Sequence, residues 1–98
     1  GAWGEMTRGT IWAGRPAEGD LQIEAAAGLT QFQSSELKSA RRLADAAPAA
    51  GAVFDVELTT GLKLRGRFVP QMLKWQRDNQ VLDLPWTQIS ELGTEVKK

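Results

Sequence analysis

Val53-Phe54-Asp55-Val56-Glu57-Leu58, then Thr59-Thr60-Gly61, then Leu62-Lys63-Leu64-Arg65-Gly66-Arg67-Phe68, is the stretch on which the fold turns. From Phe54 onward apolar and polar residues alternate with the period of two expected of a half-buried strand, and they alternate again from Leu62. The loop between the two runs is three residues long. A hairpin loop of that length takes glycine in its left-handed last position, where Gly61 stands. The loop fixes a register: Leu58 against Leu62, Glu57 against Lys63, Val56 against Leu64, Asp55 against Arg65, Phe54 against Gly66. Apolar side chains then meet on one face, and acids meet bases on the other. Such cross-strand pairs contribute about 0.2–1 kcal/mol each. A slip of one residue would spoil both faces. Gly66 leaves room for the Phe54 ring and for a bend in the strand.

Downstream, Gln71-Met72-Leu73-Lys74-Trp75-Gln76 reads as a strand, and Arg77-Asp78-Asn79-Gln80 as a turn. Val81-Leu82-Asp83-Leu84 is the next strand. Pro85 cannot donate to a ladder, so pairing should end there. Trp86-Thr87-Gln88 fits a tight turn and Ile89-Ser90-Glu91-Leu92 a short last strand.

Upstream, the same plan recurs. Gly4-Glu5-Met6-Thr7-Arg8-Gly9-Thr10-Ile11 lines up with Gly61 to Phe68, with Gly4/Gly61, Arg8/Arg65 and Gly9/Gly66 identical. After one gap in Arg15-Pro16-Ala17-Glu18-Gly19, Leu21/Leu73 is identical too. Apolar residues match at Ile11/Phe68, Ile23/Trp75, Leu29/Val81, Phe32/Leu84, Leu37/Ile89 and Ala40/Leu92. Internal periods of this kind signal repeated supersecondary units. Strands are expected near 5–13, 20–26, 29–33 and 37–41, with no counterpart of 53–58. Residues 35–47 also read as a helix, since Ser35 can cap, alanine is frequent and Pro48 would stop it. The repeat instead makes 37–41 a strand, leaving room for a helical turn at 42–47. The reading is therefore all-β: a first unit over 1–45 lacking its first strand, an Ala/Pro/Gly linker at 46–52, and a second unit over 53–98.

Composition bounds the answer. A chain of 98 residues carries 12 basic and 12 acidic side chains, no histidine and no cysteine. Units of about 45 residues bury too little surface to stand alone without staples or partners, so the two should share a core. Charge balance argues against a dedicated nucleic-acid binder. The lack of cysteine suits cytosol and export equally. No apolar run reaches the ~18 residues of a transmembrane helix, and no signal peptide is read.

The pattern carried by Phe54, Val56, Leu58, Gly61 and Gly66, followed by Ile89 and Leu92, resembles the SH3-like and Sm-like small β-barrels. The tandem is closer still to a repeat in uncharacterised bacterial envelope proteins, on Gly61 to Gly66 and on Leu84-Pro85-Trp86-Thr87-Gln88-Ile89. The first unit departs from that form, with Gln33-Ser34 in place of Pro85-Trp86. The resemblance implies two SH3/Sm-like units in tandem, with interleaving about a pseudo-twofold axis as one arrangement. It also implies an exported module in the periplasm or cell envelope, with the cytoplasm as the alternative. It implies no activity. The RNA-binding loops of Sm-like proteins have no match here, because Pro85-Trp86 stands where an Arg-Gly pair would be.

Three sets of residues are candidate sites. Asp55 and Glu57 share a strand face, but the register pairs them with Arg65 and Lys63. Lys63, Arg65 and Arg67 share the face of the next strand and could form an anion-binding row, joined by Lys74 and Arg8; the plainer reading is a solvated face. Trp3 and Trp12 are candidates for partner contact, since an exposed tryptophan offers a large rigid surface. Trp75 is expected in the core and Trp86 as the plug of a barrel end. Without histidine or cysteine the usual catalytic bases and nucleophiles are missing. No phosphate loop, cofactor motif or metal set is read. The expected function is a non-catalytic interaction or scaffolding module of a larger bacterial protein, and a nucleic-acid-binding Sm-like module is the alternative. The expected partners are another protein or a second copy, the latter by pairing of an open strand edge near 5–13.

Overall fold

The computed structural model describes residues 4–7, 10–43 and 51–93, with side chains described from residue 14 onward. Trp3, Arg8, Gly9 and residues 44–50 therefore lie outside the described residues, and with them the proposed helical turn and most of the linker. The described chain is all-β: β1 (Gly4–Thr7), β2 (Thr10–Ala13), β3 (Arg15–Pro16), β4 (Asp20–Ala25), β5 (Gly28–Gln33) and β6 (Leu37–Arg42), then β7 (Phe54–Leu58), β8 (Lys63–Phe68), β9 (Met72–Arg77), β10 (Gln80–Pro85) and β11 (Ile89–Gly93). Short 3₁₀ turns at Ser34–Glu36 and Trp86–Gln88 lead into β6 and β11. No α-helix occurs among the described residues.

The hairpin of β7 and β8 has the register read from the sequence, from Phe54 opposite Gly66 to Glu57 opposite Lys63. Gly61 has φ +91°, the left-handed conformation its loop position demands. Leu37 to Arg42 is a strand, so the helical alternative for that stretch does not form. Alanine-rich composition loses here to pairing on two sides, since β6 bonds to both β7 and β11.

The strands form two open antiparallel sheets. The larger runs β2-β1-β11-β6-β7-β8-β4-β5 and the smaller β10-β9-β3. The two are joined through Gly14, where β2 leads into β3. Both sheets mix strands of the N-terminal half with strands of the C-terminal half. β7 pairs with β6, β8 with β4, β1 with β11 and β3 with β9.

Two expectations for the N-terminal half need correction. The single strand near 5–13 is two strands, β1 and β2, paired with each other. The half also has its counterpart of β7. β1 lies on β11 as β7 lies on β6, and both pairings carry a bulge at the same place, with Ser90 and Lys38 skipped. Of the edge expected to be open near 5–13, β11 covers the β1 part, while β2 ends the larger sheet and pairs with β1 alone.

The alignment of the halves also shifts. Asp20 and Met72, Gly28 and Gln80, Ser34 and Trp86, and Leu37 and Ile89 begin equivalent elements, each pair 52 residues apart. The same spacing brings Gly14, not Gly9, onto Gly66. Both glycines face a backbone carbonyl too close for a side chain. A Cβ on Gly66 would lie 2.1 Å from the Glu24 oxygen, and one on Gly14 2.5 Å from the Gln76 oxygen. Without a gap, Glu5/Glu57, Thr7/Thr59, Gly9/Gly61, Gly14/Gly66, Arg15/Arg67 and Leu21/Leu73 are identical.

One core serves both halves. Ile23, Leu37, Phe54, Leu73, Trp75, Ile89 and Leu92 are all but fully buried, joined by Phe32, Phe68 and Trp86. Burying a side chain of this size contributes about 1.5–3 kcal/mol. Leu29 and Val81, matched in the sequence as apolar, are both exposed. They point outward from β5 and β10, one residue out of phase with the inward Phe32 and the half-buried Leu84.

Candidate functional site

Alternation along β8 sends Lys63, Arg65 and Arg67 to the outer face, where all three are exposed, and turns Gly66 and Phe68 inward. A groove of about 540 Å³ crosses β8, β7, β6 and β11 there. Its charged lining is Arg41, Lys63 and Arg65 against Asp55, Glu57 and Glu91. The basic row is therefore interleaved with acids of the adjoining strands.

Asp55 is the best-anchored charge in the groove. The Arg65 guanidinium donates to both of its oxygens, Nε to Oδ1 at 2.7 Å and Nη2 to Oδ2 at 3.4 Å. Arg41, on the strand to the other side, places Nη2 3.8 Å from Oδ2. The Arg65 hydrogen bond, aided by the charges of both arginines and opposed by partial desolvation, holds the Asp55 carboxyl below the usual carboxylate value. The pairing of Asp55 with Arg65 is thus as the hairpin register requires. Glu57 differs. It stands opposite Lys63 in the ladder, yet its ion pair is with Lys38, 3.4 Å away. Lys38 sits at the β6 bulge, which brings it onto the β7 side. Lys63 has no ion-pair partner among the described residues.

The wider basic patch does not assemble. Lys74 lies on β9 in the smaller sheet and pairs with Asp83 at 3.1 Å. Arg67 lines a different cavity, a cleft of about 320 Å³ walled by Phe68, Pro70, Met72, Pro85 and Trp86. Arg8 and Trp3 are outside the described residues. Trp12 stands opposite Glu5 in the β1–β2 ladder. Trp75 is buried as expected. Trp86 is also buried, stacked flat on Phe68 with ring centres 3.8 Å apart and edge-on to Phe54. Its indole Nε1 is buried without a hydrogen-bond partner.

Sequence reasoning missed Arg41, Ser39 and Glu91 as neighbours of the basic row. Their membership depends on β6 and β11 lying beside β7, and no local pattern encodes that. Among the described residues no group of three or more acidic, histidine or cysteine side chains could hold a metal ion, and no helix is long and apolar enough to cross a membrane. Compared with known proteins, the chain matches no family model, no curated protein and no solved structure.

Proposed function

We propose that this chain is an interleaved tandem of two SH3/Sm-like β units, acting as a non-catalytic interaction or scaffolding module of a larger, envelope-associated bacterial protein. The fold part of this reading is supported by the pairing pattern. Every ladder that joins the halves has a counterpart with the roles of the halves exchanged. Arg67 stands opposite Glu24 and Arg15 opposite Gln76; Phe68 stands opposite Ile23 and Pro16 opposite Trp75. Ala40 and Leu92 are 52 residues apart and face each other, which puts a local twofold axis between them. Each unit then takes two opening strands from one half and three from the other. The envelope setting rests on the resemblance carried by Leu84 to Ile89.

The observation that carries the functional reading is the groove across β8, β7, β6 and β11. Its volume of about 540 Å³ offers shape, and its three basic and three acidic side chains offer a mixed pattern of donors and acceptors. That pattern suits a polypeptide surface, whose own charges alternate in sign. It suits a phosphate backbone poorly, because three carboxylates would face it. The alternative, an Sm-like nucleic-acid module, requires a net basic face.

A photo-crosslinking residue at Ser39 in the groove should give a discrete protein adduct in the native host, and the charge reversal Lys63→Glu should remove it. The same crosslinker at Glu18 should give none. Heparin and single-stranded RNA columns should not retain the protein at about 0.15 M salt. Salt-dependent retention that Lys63→Glu abolishes would establish the nucleic-acid reading instead.

A further inference from the structure

The two ends of the molecule carry cavities at corresponding positions, and only one is lined for a ligand. At one end Arg15, Pro16, Glu18, Ser34 and Ser35 enclose about 190 Å³. At the other, 52 residues on, Arg67, Phe68, Pro70, Trp86 and Thr87 stand in the same places and, with Met72 and Pro85, enclose about 320 Å³. The backbone frame and the arginine are common to both ends. The lining is not: Ser34 becomes Trp86 and Pro16 becomes Phe68. The strand–turn–strand frame therefore does not require an apolar wall, and the aromatic lining is particular to this end.

The chemistry of the larger cleft is specific. Its wall is a flat Phe68–Trp86 stack, ring planes 1° apart, flanked by two prolines that hold the backbone rigid. Met72 lies at the opening with nearly half of its surface exposed, a flexible apolar side chain suited to closing over a guest. Arg67 is the one ionisable residue in the lining among the described residues. Glu24 is opposite it in the ladder, but Arg67 makes no ion pair among the described residues, so its guanidinium is available at the cleft. A volume of about 300 Å³ is at the small end of ligand cavities, too little for a folded partner and enough for a bicyclic ring.

We infer that the Phe68–Trp86 cleft is a binding site for a small planar aromatic carboxylate, its ring against the apolar wall and its carboxylate on Arg67. The arginine fork supplies two parallel donors that match a carboxylate. This site is separate from the groove of the proposed interaction surface, which involves β6 and β11 and none of the cleft walls.

The test is a titration of the intact chain with 2-naphthoate, with 2-naphthalenemethanol and acetate alongside. It is followed by the NMR signals of the backbone amides, of the indole N–H groups and of the Met72 methyl. Naphthoate should give saturable shifts at Trp86 and Met72 and none at Ser34 or Ser35. The neutral alcohol should bind about tenfold more weakly, and acetate not measurably. Arg67→Gln should reduce naphthoate to the level of the alcohol with the remaining spectrum unchanged. Met72→Asp, at an exposed position, should abolish binding of both. Absence of saturation by about 10 mM, equal affinity for acid and alcohol, indifference to Arg67→Gln, or shifts centred on Lys63 and Arg65 would each overturn the assignment.

Discussion

Gly66 and Gly14 show how a single atom can decide whether the halves interlock. Each lies where a strand of one half crosses the backbone of the other, and a methyl group there would overlap a carbonyl. Rigid backbone on both sides cannot give way cheaply. Gly66→Ala should therefore destabilise by about 2–3 kcal/mol. Gly61→Ala should cost only about 1 kcal/mol, because Gly61 has a positive φ but open space around it. Urea unfolding of the two variants checks the order, and equal costs would remove the close-approach argument. Asp55 gives a second prediction at this scale. Its folded pKa lies below the ordinary value, so its contribution to stability is present at neutral pH. That contribution is lost as pH falls through the ordinary carboxylate value toward the folded one. Asp55→Asn should be the less stable protein at about pH 6, and the difference should shrink by about pH 2.5. A difference independent of pH would mean that Asp55 acts through something other than charge. A partner that binds the groove equally well after Asp55→Asn would mark the Arg65 pair as structural.

At the scale of elements, β5 and β10 occupy equivalent outer positions, each paired on one side only. They are guarded differently. β10 carries Asp83 in its middle, paired with Lys74, and ends in Pro85. Charge and proline are the usual means of discouraging a further strand. β5, Gly28-Leu29-Thr30-Gln31-Phe32-Gln33, has no charge and no proline, and Leu29 is two-thirds exposed. β11 covers β1, and of the two strands that end the larger sheet, β2 and β5, it is β5 whose uncharged edge is predicted to pair if copies of the chain associate. Gln31→Lys should shift light-scattering mass toward monomer at concentrations where the parent chain associates. The same substitution should leave thermal stability within about 0.5 kcal/mol of the parent. A parent chain that remains monomeric at all concentrations would show that β5 is not used in this way.

For the whole molecule, the consequence of interleaving is that neither half is a folding unit. Residues 51–93 supply β7 and β8 to a sheet whose neighbours β4 and β6 come from the other half. Separated fragments 1–43 and 51–98 would each lose those partners and expose half of a shared core. They should be unfolded alone by circular dichroism and should regain β structure when mixed, as strand-complementing fragments do. Independent folding of 51–98 would refute the interleaved arrangement.

Much that depends on neighbours along the chain could be read without the fold. Alternation from Phe54 to Phe68, with Gly61 in the loop, specified a hairpin and its register to the residue, because strand period and turn length leave one solution. Trp75 could be assigned to the core, because it matches the apolar Ile23 at an alternating strand position. A matching of two halves was read as well, but in another frame than the spacing at which the strands begin. Three identities around Gly9 drew the alignment away from the spacing of 52, on which Gly14 meets Gly66. Which strands of one half lie beside which of the other was settled by the assembled fold. The pairing of β1 with β11 and of β7 with β6 is non-local, and backbone hydrogen bonds carry no residue code for a distant partner. The groove inherits that limit: Lys63 and Arg65 were visible as a row, with Asp55 and Glu57 opposite them across the hairpin, while Glu91 and Arg41 came from strands with no sequence link to β8. The Phe68–Trp86 cleft does so too, since its walls meet only where the second 3₁₀ turn folds back against the end of β8.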